Sequence, residues 1–190
     1  DSFALWRAAL ATWSDPDTRD VFNIKKASSM SVDDLRTRLT KHKLALQPNK
    51  HVNTWKLLAE TFNTQWGGVS GLFAEADNDY LKLRELVQIK HKKSFPYLSG
   101  PKIFNYWSYI MSSYGNILLT NRDYIEIAPD THVLQCSVQL GVLTELEANT
   151  FTRDKISEVW RNALDGSNIA PIDLHSPLWF WSRNGFLFEV

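Results

Sequence analysis

Lys102 and Asp130 are the residues of this chain whose types and settings fit a single piece of chemistry. The lysine closes "SGPK", where Gly100 can cap a helix and Pro101 can take its first position, so Lys102 falls in a first helical turn. The positive end of the helix dipole disfavours an ammonium group there and favours the neutral, nucleophilic amine. Asp130, in "APDTHV", stands at the start of another helix, where the same field favours a charged carboxylate. An amine nucleophile and a fixed carboxylate are what displacement at a sugar C1′ needs. The amine attacks, and the carboxylate stabilises the positive charge that grows as the base leaves. Spacing alone leaves a plainer alternative, because capped helices carrying an Asp or an early Lys are common.

Other groupings are weaker. His132 and Cys136 stand four apart on one helix face, a metal-ligand spacing, but no second pair completes a zinc site. Cys136 therefore reads as a packed core thiol. "WGGVSG" at 66–71 has glycines without a preceding strand, so it reads as a helix stop and turn rather than a nucleotide loop. Basic residues cluster in "KHK" at 41–43 and "KHKK" at 90–93, either as a solvated face or as phosphate contacts.

The elements that must position these groups are helical almost throughout. "SVDDLRTRLTKHKL" opens on Ser31 with Asp34 three residues later, a capping signature. "NKHVNTWKLLAETFNTQ" puts Val52, Trp55, Leu58 and Phe62 on one stripe and stops at Gly67-Gly68. In "KIFNYWSYIMSSYG" the spacing predicts an inner face of Ile103, Trp107, Ile110 and Tyr114. "NILL" and "YIEIA" are long enough for short strands, yet no alternating partner set supports a sheet. The expected fold is all-α, one compact helical unit over 1–190 with no linker marking a second domain.

Composition narrows the partners. Twenty-one basic and twenty-one acidic residues cancel, so whole-chain charge points to no partner class. A single cysteine rules out an internal disulfide and a cluster held by four cysteines, and fits an intracellular setting, cytoplasm, nucleoid or nucleus. No signal-peptide pattern is read, and no apolar run is long enough to span a bilayer. Eight Trp leave rings to spare for a pocket or stacking surface once the core is filled.

"IEIAPDTHVLQCSVQLGVL" resembles the signature of the helix-hairpin-helix DNA glycosylase superfamily, which includes endonuclease III and the 8-oxoguanine glycosylases. In that family an apolar-Asp-Thr-His-apolar run opens a helix and its Asp is the catalytic carboxylate, here Asp130. "FPYLSGPKIFNYW" occupies the place of the family's hairpin, whose lysine forms a Schiff base, here Lys102. "LLAETFNTQ" is similar to an early family helix, which would set Gln65 near the gap left by a flipped base. "ISEVWRNAL" and "PIDLHSPLWFWSRNGF" resemble the closing helices. The likeness covers residues 51–190, with the hairpin at 95–103 and the catalytic helix from 129; residues 1–50 carry no motif. The hairpin's second glycine is absent and a proline precedes the lysine. The two site residues lie 28 positions apart, wider than in endonuclease III and closer to the archaeal 8-oxoguanine glycosylase branch.

The resemblance implies a two-lobed helical fold with a cleft between the lobes. It implies a base-excision glycosylase with β-lyase activity, acting as a monomer on double-stranded DNA that holds a damaged base, an oxidised purine among the candidates. No cofactor is expected, and no metal. Phosphate contacts would fall to Lys90, Lys92, Lys93 and Arg183, with Ser99 and the backbone at Gly100. Trp66, Trp179 or Trp181 would sandwich the base, unless those rings are core. Two alternatives stay open. One is a helical DNA-binding or protein-interaction module that has lost the chemistry. The other is a hydrolase of free nucleosides, which needs the Asp but no basic face.

Overall fold

The computed structural model describes residues 2–187. Among them every regular element is helical, and extended backbone pairs only in an isolated bridge between Asp79 and Thr120. None of the described helices is long and apolar enough to cross a membrane. The chain divides into two compact units, one reaching to Asp77 and taking in Ile89–Pro96, the other formed by Asn78–Gln88 and the chain from Tyr97 onward.

The first unit holds α1 (Ser2–Ser14), α2 (Ile24–Ser29), α3 (Val32–Lys41), α4 (Pro48–Trp66) and α5 (Val69–Glu75). The Ser31 hydroxyl accepts the Asp34 N–H at 3.1 Å and starts α3, as its spacing predicts. The Asp34 carboxylate does not reach back to complete the box; it accepts Arg38 Nε at 2.8 Å one turn on. The motif-free first fifty residues supply core partners to α4: Val21, Ala27, Leu35 and Leu39 cluster with Val52 and Ala59. α4 ends where Gly67 turns left-handed at φ 67°, a region L side chains enter at a cost. The glycines of "WGGVSG" thus make a helix stop and a tight corner.

The second unit holds α6 (Tyr80–Glu85), α7 (Pro101–Tyr114), α8 (Thr131–Gln139), α9 (Glu145–Thr150), α10 (Arg153–Ala163) and α11 (His175–Arg183). Its main core joins Ile127, Val133, Cys136, Leu143, Ile156, Trp160, Leu178 and Trp181. A buried hydroxyl is satisfied inside it: Ser137 Oγ donates to the Val133 carbonyl and accepts Trp160 Nε1–H at 2.9 Å.

The inner face of α7 differs from expectation. Ile103 is 48% exposed and Tyr114 71%, while Phe104, Asn105 and Ser108 are buried. The Phe104 ring packs on Tyr80 at 5.7 Å, and the Tyr80 hydroxyl donates to Asn105 Oδ1. That bond lets an amide sit inside, so the helix is turned by about one position from its most apolar stripe.

Candidate active site

Asp130 is placed by the segment before it. Residues 126–130 carry no regular secondary structure, the Asp130 N–H donates to the Ala128 carbonyl at 2.8 Å, and Ile125 and Ile127 are both buried at 0% exposure. Pro129 precedes Asp130, whose backbone is extended (φ −86°, ψ 178°) and whose carboxylate accepts the Val133 N–H at 3.1 Å. Its own carbonyl accepts the Leu134 N–H at 2.9 Å. Asp130 is therefore the half-buried N-cap of α8, the position its motif predicts.

Lys102 lies in the first turn of α7, behind Gly100 as N-cap and Pro101, and is exposed. It lines a cavity of about 60 Å³ with Glu126, Ala128, Pro129, Arg153 and Asp154 among its walls. The backbone at Gly100 departs from expectation. Its N–H donates to the Tyr97 carbonyl at 2.9 Å, so it does not point to solvent for a phosphate. Pro101 has no N–H, which leaves the amides of Lys102 and Ile103 as the first-turn donors.

His175, the first residue of α11, joins these two and was not singled out in the sequence. Burial pushes its pKa below the usual imidazole value; the Asp130 charge pulls it back up, and the Lys102 charge adds to the lowering. One imidazole thus feels both candidate groups. Its Nδ1 is buried and has no hydrogen-bond partner. The turn before it is tied down by Asp173, which accepts two N–H groups from Arg122 at 2.6 and 2.5 Å. Arg122 in turn donates to Ser112 and Ser113 at the end of α7. The only sequence signal for His175 was its place at a helix start two residues after an aspartate; its burial is a tertiary fact.

Glu126 is half-buried between the two buried isoleucines. Burial pushes its carboxyl pKa up, Asp154 adds to this, and Arg84, Arg161 and a hydrogen bond from Asn105 oppose it. A second cavity, about 200 Å³, is walled by Tyr80, Arg84, Gln88, Pro101, Asn105, Glu126 and Asp154. Pro101, Asn105, Glu126 and Asp154 belong to both cavities.

The other predicted residues divide between the units. In the first, Gln65 is exposed near the end of α4, and Lys90, Lys92 and Lys93 are exposed around a short 3₁₀ turn. Trp66 stacks on Phe95 at 5.7 Å and donates to Glu75, so its ring is already engaged. In the second, Ser99 is half-buried, and Arg183 lies over the Trp179 ring at 4.6 Å. Trp179 also meets His132 edge-on, whereas Trp181 is a core residue only 8% exposed. Core packing therefore accounts for Trp181, and Trp179 keeps the more open ring. His132 Nδ1 bonds Ser182 Oγ at 3.0 Å, and the Cys136 thiol donates to the Leu178 carbonyl at 3.1 Å. Both are held within helix packing, and the described residues contain no group of three His, Cys, Asp or Glu able to hold a metal ion.

No family model matches the chain, no curated protein matches it in sequence, and no solved structure matches it.

Proposed function

We propose that this protein has the helix-hairpin-helix glycosylase fold and is a DNA N-glycosylase with lyase activity, excising a damaged base from duplex DNA. The observation that carries the reading is His175, half-buried at a helix start with its Nδ1 enclosed, and subject to the charges of both Lys102 and Asp130. Two groups 28 positions apart in sequence are thereby associated with a third, in the part of the chain that carries the glycosylase-like motifs. A base within a stacked duplex is out of reach, so it is first flipped at a cost on the order of a few kcal/mol. The Lys102 amine then attacks C1′, and the Asp130 carboxylate, held by the Val133 amide, stabilises the developing positive charge. The resulting Schiff base permits strand cleavage by β-elimination. The half-buried, neutral His175 offers Nδ1 as a hydrogen-bonding group for the extruded nucleotide.

Borohydride trapping on duplexes carrying a panel of lesions tests this. A covalent adduct is expected in the wild type and lost in Lys102→Ala. Excision that survives in Lys102→Ala would make water the nucleophile and the enzyme monofunctional. Asp130→Asn is the sharper variant, because asparagine caps a helix about as well as aspartate and only the charge goes. It should lose excision and keep DNA binding; full activity would remove Asp130 from the chemistry.

A further inference from the structure

We infer that Glu126 is the proton acceptor that frees the Lys102 amine for attack, a role that rests on the glycosylase reading above. A protonated lysine has no lone pair to give, so the group that takes its proton must share its space. Lys102 and Glu126 are walls of one cavity of about 60 Å³. That volume has room for water, the carrier a proton needs to pass between two groups on its walls.

The fold gives Glu126 the setting of an acceptor rather than of a solvated surface acid. Ile125 and Ile127, both fully buried, anchor the backbone on either side and leave the Glu126 side chain directed at the cavities. Asn105, itself only 6% exposed, bonds the carboxylate and is fixed in turn by the Tyr80 hydroxyl. The charged groups facing it are Asp154 and Arg161 from α10, Arg84 from α6, and Arg153 and Lys102 across the cavity. Burial and Asp154 favour uptake of a proton, and the Arg84 and Arg161 charges oppose it.

The step balances as follows. The Lys102 ammonium passes one proton, through water, to the Glu126 carboxylate. The freed lone pair forms the N–C1′ bond while the C1′–N bond to the base breaks, and its electron pair leaves with the base. The base takes up a proton from water, and the lysine nitrogen carries the positive charge as a secondary ammonium.

The test is single-turnover borohydride trapping on a duplex with an abasic site and on one with a lesion, for wild type, Glu126→Gln and Glu126→Asp. Rates are read from about pH 6 to about pH 9. Glu126→Gln is expected to trap about a hundredfold more slowly near neutrality and to recover as pH rises and solvent takes over the deprotonation. Glu126→Asp keeps a carboxylate and should retain the wild-type pH profile at reduced rate. Trapping by Glu126→Gln at the wild-type rate with an unchanged profile would overturn the inference while leaving the glycosylase reading intact. Absence of any adduct in the wild type would overturn both this inference and the lyase activity, and absence of excision as well would overturn the glycosylase reading. The melting temperature of Glu126→Gln separates chemistry from folding: it should not fall, since an amide there removes a buried charge.

Discussion

His175 illustrates at the residue scale how burial makes an ordinary side chain specific. Its pKa is held below the usual 6.5, chiefly by desolvation. As pH drops below about 6.5 the unfolded chain therefore takes up the proton first, and stability contributed by this group is lost progressively until the folded-state value is passed. His175→Gln should flatten the pH dependence of the melting temperature between about pH 7 and pH 5. An unchanged slope would mean that the imidazole is not desolvated as described. The same variant keeps hydrogen-bonding capacity and should excise better than His175→Ala, for which a loss of about tenfold or more corresponds to about 1.4 kcal/mol. Trapping on an abasic site, which has no base to hold, should be affected less. Asp130 and Lys102 stood out in the sequence because a motif and a cap surround each. His175 and Glu126 did not, because nothing local marks a side chain as desolvated.

At the scale of elements, two junctions decide how the helices meet. Gly71 lies at the start of α5 against the end of α4, and a Cβ there would stand 2.0 Å from the Trp66 carbonyl oxygen. Backbone cannot yield as a flexible side chain does, so Gly71→Ala should cost on the order of 1–3 kcal/mol or displace α5. A variant melting within a degree of wild type would contradict that close approach. The second junction is Arg122 with Asp173, both side chains 29% exposed. Arg122→Lys keeps the charge but loses the paired geometry, with an expected cost of about 1–2 kcal/mol. The Arg122 hydrogen bonds hold Asp173 below the ordinary carboxylate value. The pair's stability is therefore present above about pH 4 and lost as pH falls through the lowered value, and Asp173→Asn should remove that acid-sensitive component. Helix starts at Ser31, Pro101 and Asp130 were legible because capping is local chemistry. The buried face of α7 was not, because Asn105 goes inside only when Tyr80 is there to meet it.

For the whole molecule, a balanced charge of zero means that any attraction to DNA must come from local groups rather than a global field. Lys90, Lys92 and Lys93 stand exposed in one unit and Arg183 in the other. If Lys92 and Lys93 each neutralise a phosphate, the double alanine variant should lower the slope of log K against log salt by about 2. An unaltered slope would clear that segment of a DNA role. No DNA binding by the wild type even at low salt would favour a protein-interaction module over a glycosylase.

The sequence by itself determined the helical class, the starts of several helices, and the places of Lys102 in a first turn and Asp130 at a cap. These follow from periodicity, capping and the helix dipole, which act over a few neighbouring residues. Only the tertiary structure decided which residues share their surroundings. It put Glu126 and Lys102 on one cavity, set His175 in the field of Lys102 and Asp130, and turned Trp181 into core. Desolvation and the sharing of a cavity depend on groups distant in the chain, and that dependence is absent from any local pattern.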